Sequence, residues 1–234
     1  MTPHHRVKPP TVQKKGNTVE EAYQEIKKMI YYNMLAPGQK LVYQDLAKKL
    51  KMSITPIIQA LNGLKRSNFV RYEPNKGYFV GEITEEEARE LYEAREALES
   101  YLIPSVIRNL RGEDLSSIIK TFKGSKVDPH AGYQRLHMIR DAEFHLKIIE
   151  YAGNRTIYKL LEEIFENIYL RYRPEYLLEV RVKNAVSEHR EFLRSLEEGD
   201  VRETRSLLKK HIENGMHNVI EHLRSRSSMI GFQR

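Results

Sequence analysis

The first third of the chain has two helix-like patterns of hydrophobic residues in quick succession. Residues 44–50 have apolar positions at helical spacing, residues 51–52 form a brief turn, and a second helix follows. Ser53 is suited to cap that second helix, and Pro56 lies in its first turn, where the missing N–H costs no hydrogen bond. An apolar stripe repeats along it: Ile57, Ala60, Leu61 and Leu64. The pattern predicts a helix-turn-helix.

Two strand-like runs follow, over residues 69–72 and 78–80, and the residues between them are rich in turn formers. Two helices and a small hairpin predict a winged helix, to which residues 40–42 can add a third short strand. The exposed side of the second helix and the wing supply the candidate DNA contacts: Ser53, Thr55, Ile58, Gln59, Asn62, Arg66, Lys76 and Gly77. A helical pair with a surface hairpin and no ligand is the alternative.

Positive charge is concentrated in the same third. Residues 1–82 carry 14 Lys and Arg against 6 Asp and Glu, a net charge of +8, whereas residues 83–234 carry 25 against 26. A basic surface confined to a winged helix is typical of proteins that bind a phosphate backbone. Residues 1–17 contain cations, prolines and no acid, so we interpret them as a flexible basic arm. That arm is either a plain tail or a contact to phosphates or a minor groove.

This segment resembles the DNA-binding domain of the GntR-type bacterial transcription regulators. Residues 35–38, 45–47 and 53–61 and Gly77 carry the resemblance. The family's usual core reads roughly Ser-Arg-Thr-Pro-Val-Arg-Glu-Ala-Leu, and five residues match it: Ser53, Thr55, Pro56, Ala60 and Leu61. The resemblance implies that the partner is a double-stranded DNA operator.

Two isoleucines depart from the family pattern. Ile54 and Ile58 stand where the base- and phosphate-contacting arginines usually are. Ile58 is suited to touch a thymine methyl group, and Gln59 or Asn62 to pair with an adenine edge, while Ile54 is open to a packing role. We therefore predict an operator different from the family's common one, with weaker guanine readout.

The remainder of the chain is almost entirely helical in pattern. Thr84 and Glu87 form a capping box at the start of the first of these helices. The fold class is mainly α, with an N-terminal winged helix-turn-helix and a C-terminal all-helical bundle of about six or seven helices. The expected divisions are a basic arm over 1–17, a DNA-binding domain over 18–82 and an effector-binding and dimerisation domain over 83–234.

Composition narrows the possible chemistry. The 234 residues include no cysteine, so disulfides and thiolate ligands are excluded. Hydrophobic content of 40% and charged content of 30% are typical of globular proteins. No apolar run approaches the length of a membrane span, and no segment resembles a signal peptide, so we expect a cytoplasmic protein that does not contact membranes.

Three histidines in the helical part occupy positions where apolar residues are expected. His145 follows Asp141 by four residues, which places carboxylate and imidazole on one helix face. His189 and His211 lie in apolar seams of two later helices. One Asp and three His make a ligand set for a divalent transition metal such as zinc, nickel or manganese. The other histidines in this part are expected at the surface or at helix ends: His130, His137, His217 and His222.

The helical part resembles the FCD effector domain of the FadR branch of these regulators. The residues that carry this resemblance are 91–99, 141–145, Asn154, 188–189, 199–200 and 211–212. In that family the matching residues bind a metal at the floor of an effector cavity, which implies these ligands here: Asp141, His145, His189 and His211. Arg95 matches an arginine that points towards that cavity and is suited to clamp a carboxylate. An ion pair between Arg95 and Glu99 is the alternative.

Together these features predict a homodimeric transcription regulator controlled by a small organic acid, with repression or activation left open. The resemblance alone implies the dimer. One alternative is a metal-dependent helical enzyme, although the sequence has no His-Glu-x-x-His motif and no obvious general base. The other is a regulator whose metal is purely structural or is itself the signal.

Overall fold

The structure is a computed structural model, and it describes residues 18–110, 133–173, 175 and 177–231. The basic arm expected over residues 1–17 lies outside the described residues. Those residues form eight helices and one three-stranded sheet. In chain order the elements are α1 (Val19–Tyr31), β1 (Lys40–Leu41), α2 (Tyr43–Leu50), α3 (Ile54–Arg66), β2 (Val70–Glu73), β3 (Gly77–Val80), α4 (Glu85–Leu110), α5 (Tyr133–Glu150), α6 (Arg155–Arg171), α7 (Glu179–Glu198) and α8 (Val201–Gly231).

The N-terminal elements form the predicted winged helix. α1 begins with a capping box in which Thr18 Oγ1 accepts a hydrogen bond from the backbone of Glu21 at 3.0 Å, and the Glu21 carboxylate accepts one in return at 2.9 Å. α2 ends at Lys51, whose left-handed backbone (φ 54°) turns the chain towards α3. The antiparallel strands are ordered β1-β3-β2, so the predicted hairpin and the short third strand are both present.

The core of the winged helix lies between α1, α3 and the sheet. The stripe predicted on α3 is completely buried, at 0% exposure for each member: Ile57, Ala60, Leu61 and Leu64. Each buried Leu or Ile contributes about 1.5–3 kcal/mol through removal of apolar surface from water. Burial of this one side leaves the other side of α3 at the surface, where DNA contacts were expected.

The helical part is built from α4 to α8. The predicted capping box at its start is present, since Thr84 Oγ1 accepts from the Glu87 backbone at 3.2 Å and the Glu87 carboxylate accepts from Thr84 at 3.0 Å. α4 runs for 26 residues and includes Pro104. Apolar residues of all five helices share one core. Among the described helices, none has an apolar stretch long enough to cross a membrane.

The end of α6 joins the two parts of the molecule. Leu170 is 1% exposed and belongs to the hydrophobic core of the winged helix, although it comes from the helical part. The carbonyl of Arg171 accepts a hydrogen bond from the backbone of Ile83 at 3.2 Å. Lys27 on α1 forms an ion pair with Glu166 at 2.7 Å. The division expected near residue 82 is therefore crossed by direct packing.

Candidate metal centre and DNA-binding face

Four polar side chains converge inside the helical part. Asp141 and His145 lie one turn apart on α5, His189 comes from α7 and His211 from α8. The three imidazoles are at most 3% exposed. One ligand atom from each of the four residues lies within 4.8 Å of the others. The structure thus brings together all four residues that the sequence singled out.

The spacing of these atoms matches a coordination shell. The Nε2 atoms of His145 and His211 are 3.1 Å apart, and that of His189 is 3.2 Å from each of them. Asp141 Oδ1 lies 3.3 Å from His189 Nε2 and 3.5 Å from His211 Nε2. Metal–nitrogen bonds of about 2.1 Å separate adjacent ligand atoms by about 3.0 Å in an octahedron and about 3.4 Å in a tetrahedron. The observed distances fit either arrangement around one ion.

Two glutamates orient the imidazoles. Glu99 Oε2 lies 2.7 Å from His145 Nδ1, and Glu188 Oε2 lies 2.7 Å from His211 Nδ1. An ionised carboxylate can only accept hydrogen bonds, so each Nδ1 donates and the Nε2 atom presents its lone pair to the cluster. Lone pairs that converge at about 3 Å repel each other unless a cation lies between them. The donor set therefore fits a metal ion.

The local charges favour the protonation states that bind metal. Burial would raise the pKa of Glu99, but its interactions with His145 and Arg95 lower it to about 2. Burial lowers the pKa of His145, and burial together with the charge of His211 lowers that of His189 to about 3. An ionised carboxylate beside neutral imidazoles is the state in which a transition metal binds.

His211 differs from the other two imidazoles. Burial would lower its pKa, but hydrogen bonds to Asp141 and Glu188 outweigh burial and raise it. Because a ligating imidazole must be neutral, metal binding should release a proton from His211. The affinity of the cluster for metal should therefore fall as the pH is lowered.

Replacing Glu188 with glutamine tests the orienting role of the carboxylate. Loss of its negative charge weakens the bond to His211 Nδ1, and changes of this kind typically lower metal affinity 10–100-fold. Isothermal titration of metal-free protein with Zn²⁺ measures the change. Glu191→Gln is the matched control, because Glu191 is exposed on the same helix. Equal Zn²⁺ affinity of the Glu188→Gln variant and the wild type would show that Glu188 plays no part.

A cavity of about 70 Å³ adjoins the cluster. Asp141, His189 and His211 line it together with apolar side chains of α7, such as Val182 and Val186. This volume is well below the roughly 300 Å³ at which typical ligand pockets begin. A ligand of more than a few atoms would therefore extend beyond this space or displace its lining.

Arg95 lines the cavity and also makes the ion pair that was its alternative role. Its Nε donates to Glu99 Oε1 at 2.5 Å, and its Nη1 donates to Tyr169 Oη at 3.2 Å and lies 3.7 Å from Asp141 Oδ2. The guanidinium stacks over the ring of Phe165 at 4.5 Å. Arg95 Nη2 is buried without a hydrogen-bond partner among the described residues. One donor group thus remains for a ligand oxygen.

Sequence reasoning missed several residues of this site. Tyr169 on α6 donates its hydroxyl to Asp141, and Arg181 on α7 lines the cavity and pairs with Glu188 at 3.0 Å. The surface position expected for His137 is wrong, since His137 is only partly exposed and lines the cavity. Tyr169 and Asp141 lie on different helices, so no local spacing could indicate their contact, whereas Arg181 and Glu188 lie seven residues apart on α7. His130 lies outside the described residues.

The other candidate surface is the outer side of α3. Its predicted contact residues lie as expected: Ser53, Thr55, Gln59, Asn62 and Arg66 are exposed and Ile58 is half-buried. Ser53 occupies the N-cap position without a side-chain capping bond. Ile54 is 44% exposed, so it lies on this surface instead of packing inside the domain.

The wing stands beside this surface. Tyr78 on β3 donates its hydroxyl to Asn62 Oδ1 at 3.0 Å, which fixes the wing against α3. Lys76 is exposed at the tip and pairs with Glu73 at 3.0 Å, and Gly77 has a left-handed backbone (φ 95°) that a side chain would strain. An exposed Tyr72 on β2 adds an aromatic ring that the sequence reading did not include.

Comparisons with protein families match both parts of the chain. The family described as "FCD domain" matches residues 90–214, and the family described as "Bacterial regulatory proteins, gntR family" matches residues 18–80. The HTH-type transcriptional regulator YdhC of Bacillus subtilis (strain 168) is 24% identical over 203 residues, which cover 86% of this chain and 89% of YdhC. The HTH-type transcriptional regulator McbR of Escherichia coli (strain K12) is 26% identical over 167 residues, covering 70% and 74%.

Solved structures show the same fold. E. coli McbR/YncC superposes with a TM-score of 0.71 at 20% identity, covering 87% of this chain and 97% of that protein. A GntR transcriptional regulator from Rhodococcus sp. RHA1 superposes with a TM-score of 0.72 at 18% identity and the same two coverages. At these identities the likeness concerns the arrangement of the winged helix and the helical part, and it leaves the ligand of the site to be argued from the residues themselves.

Proposed function

The chain belongs to the GntR-type bacterial regulatory proteins with an FCD domain, and on that premise we propose that a metal centre and a small carboxylate metabolite control its affinity for an operator. DNA-binding transcription regulation, and not enzymatic catalysis, is the activity of these families and relatives. The observation that carries the proposal is the buried cluster of one Asp and three His beside a cavity, in the same chain as a winged helix.

The metal in this proposal is zinc, nickel or manganese. Its ligands are Asp141, His145, His189 and His211, a set that imidazole-binding divalent metals accept. One carboxylate and three neutral imidazoles leave a net positive centre. The ion would supply a fixed positive charge at the end of the cavity, and any open coordination position would take an oxygen from water or a ligand.

The effector in this proposal is a small organic acid. Its carboxylate would lie between the metal and Arg95, which retains one free donor group at Nη2 among its described contacts. A hydrogen bond between a guanidinium and a carboxylate is about twice as strong as one between neutral groups. The apolar side chains that line the cavity, such as Val182 and Val186, favour an acid with a short apolar body.

The DNA-binding unit is proposed to be a homodimer. Two winged helices would then meet a palindromic operator with half-sites about one helical turn apart. Effector binding would shift the balance between dimer geometries that fit that spacing and geometries that miss it. A bacterial operator lies in the cytoplasm, so the proposal places the protein there.

A second candidate is a regulator whose metal is structural or is itself the signal. The small cavity favours it, because about 70 Å³ accommodates little more than the space around an ion and a few waters. Operator affinity measured against Zn²⁺ without any organic acid separates the two candidates. An organic acid that changes operator affinity no further than Zn²⁺ alone would favour the second candidate, and an acid that changes it further in the presence of Zn²⁺ would favour the first.

Selection of operator sequences from random DNA tests the first half of the proposal. The family's common half-site should not be recovered, because Ile54 and Ile58 replace two arginines and arginine is the usual reader of guanine. We expect half-sites with fewer guanine contacts and with adenine or thymine opposite α3. Recovery of the common half-site would contradict the assignment of Ile58, Gln59 and Asn62 as readers of bases.

A further inference from the structure

We propose that residues 169–173, at the end of α6, relay the occupancy of the metal-lined cavity to the DNA-binding domain. This inference rests on the proposed function, since it concerns how that same site regulates DNA binding. Successive residues of this segment contact the cavity, the core of the winged helix, and the junction between the two parts. Among the described residues, α6 is the element of the helical part that places a side chain in the winged-helix core.

The cavity side of the segment consists of two tyrosines. Tyr169 donates its hydroxyl to the candidate ligand Asp141 and accepts a hydrogen bond from Arg95 at 3.2 Å. Tyr172 lines the same cavity and is 1% exposed. A metal on Asp141 and a carboxylate on Arg95 would each change a bonding partner of Tyr169. The segment therefore senses both proposed ligands directly.

The other side of the segment contacts the DNA-binding domain. Leu170 is buried in the core that α1, α3 and the sheet form. The Arg171 guanidinium donates to the carbonyl of Glu82 at 3.0 Å and to the carboxylate of Glu87 at 2.8 Å. Arg173 donates to the Glu82 carboxylate at 3.2 Å. A shift of the segment would therefore displace both the core and the connection into α4.

Two arginines of the segment pack closely against glycines of the DNA-binding domain. A Cβ atom at Gly81 would lie 3.3 Å from Arg171 Nε, and one at Gly38 would lie 2.9 Å from Arg173 Nη2. These glycines belong to the winged helix and its exit, where the nearest atoms to such Cβ positions are the Asn68 carbonyl oxygen for Gly81 and the Glu82 carboxylate, at 2.7 Å, for Gly38. Tightly packed interfaces transmit displacement because they adopt discrete arrangements and do not deform gradually.

Arg135 links the segment to the helix that carries two of the ligands. This fully buried guanidinium on α5 donates to the carbonyl of Tyr169 and, at 3.3 Å, to that of Tyr172. It also lies 3.5 Å from Asn33 Oδ1, in the turn after α1. Any movement of α5 at the metal centre would thus act on the end of α6 and on the DNA-binding domain together.

The small size of the cavity connects binding of an organic acid to movement of the lining. At about 70 Å³ the cavity is smaller than most organic acids, so such an acid would extend beyond it or displace its lining. Tyr172 is the first residue after α6, and its extended backbone (φ −88°, ψ 140°) ends the helix there. Helix ends open at lower cost than helix interiors. The relay therefore uses the end of α6 as the part of the lining that moves.

Thermodynamic coupling between Zn²⁺ and operator DNA tests this relay. The full-length protein and a selected operator are used, and operator Kd is measured with saturating Zn²⁺ and without metal. Allosteric coupling typically changes an affinity 5–150-fold. We expect the ratio of the two Kd values to fall within that range for the wild type and to drop below about 2 for Arg171→Gln. Zn²⁺ Kd, measured separately by calorimetry, should stay within about twofold.

Two further variants make the test specific. Glu87→Gln removes the carboxylate that pairs with Arg171 and should also reduce the coupling. Because both changes break the same ion pair, the double variant with Arg171→Gln and Glu87→Gln should lose no more coupling than either single variant. Two independent losses of stability would add instead. Lys183→Gln is the matched control: it removes one positive charge from an exposed ion pair on α7 and should leave the coupling unchanged. Thermal unfolding of each variant checks that it is folded.

Each outcome decides between the relay and its premise. Coupling that persists in Arg171→Gln and Glu87→Gln would overturn the relay while leaving the metal centre intact. Zn²⁺ that binds the wild type without changing operator affinity would also overturn it and would favour a structural metal. Failure of the wild type to bind Zn²⁺, Ni²⁺ or Mn²⁺ would remove the proposed function itself, and the relay with it.

Discussion

Replacing both His145 and His211 with alanine should abolish metal binding and the response to effector, while operator binding persists. A binding free energy of about 12 kcal/mol shared over four ligands amounts to about 3 kcal/mol each, so losing two costs about 6 kcal/mol, or roughly 10⁴-fold in affinity. Calorimetric titration with Zn²⁺ measures the loss. Operator binding should be retained because both residues lie in the helical part, away from α3.

The control for this change is a pair of histidines outside the cluster. His217 is exposed on α8 and His222 lies one turn further along, where its ring contacts the carbonyl of Asn218. Alanine at both positions should leave the metal affinity unchanged. If the variant lacking His145 and His211 still responds normally to the physiological effector, the metal has no role in regulation.

Replacing Gln59 and Asn62 with alanine should lower affinity for the selected operator by about 10²-fold. A good hydrogen-bonded contact to a base edge contributes about 1–3 kcal/mol of discrimination, and two such contacts are lost. Asn62 should have the larger effect, because the hydrogen bond from Tyr78 fixes its side chain beside the wing. Fluorescence anisotropy with the operator and with unrelated DNA measures the two affinities at a stated salt concentration.

Arg66→Gln provides the contrast for that experiment. Arg66 is exposed at the end of α3 and is suited to contact phosphate. Its loss should weaken binding to all sequences alike and reduce the slope of log affinity against log salt by about 1. If the Gln59 and Asn62 variant loses affinity equally for every sequence, these side chains do not read bases.

Much of the fold follows from local patterns in the sequence. The stripe from Ile57 to Leu64 predicts one buried side of α3, and the capping boxes at Thr18 and Thr84 mark the starts of helices. The four-residue spacing of Asp141 and His145 predicts half of the candidate metal site, because a helix alone brings those two side chains together. His189 and His211 were indicated by their place in apolar seams and by the resemblance to the FCD domain.

The rest depends on packing between distant segments. Glu99 and His145 are 46 residues apart, and the partners Tyr169 and Asp141 lie on different helices. Sequence periodicity does not indicate contacts of this kind. For Arg95, the sequence left the ion pair with Glu99 and the position in the cavity as alternatives, whereas the structure has both. The docking of Leu170 into the winged-helix core is likewise absent from any local pattern, because the leucine is equally suited to the core of its own part.

The ion pairs of the helical part explain where its positive charges lie. The excess of cations lies in residues 1–82, but some of the strongest ionic contacts of the helical part involve arginines inside it. Arg95 and Arg171 are buried and paired with Glu99 and Glu87, so they support the site and the junction and do not add to a DNA-binding surface. The near-zero net charge of residues 83–234 therefore includes cations that are paired with carboxylates of the same part.

The most direct test of the central claim is a crystal structure of the protein loaded with Zn²⁺, with data collected at the zinc absorption edge. We expect a single anomalous peak about 2.1 Å from the Nε2 atoms of His145, His189 and His211, within bonding distance of Asp141. Glu99 and Glu188 should keep their contacts to the Nδ1 atoms on the far sides of the rings. A crystal in which zinc occupies other sites, and the three imidazoles bond only to each other, would contradict the metal centre on which the proposed regulation depends.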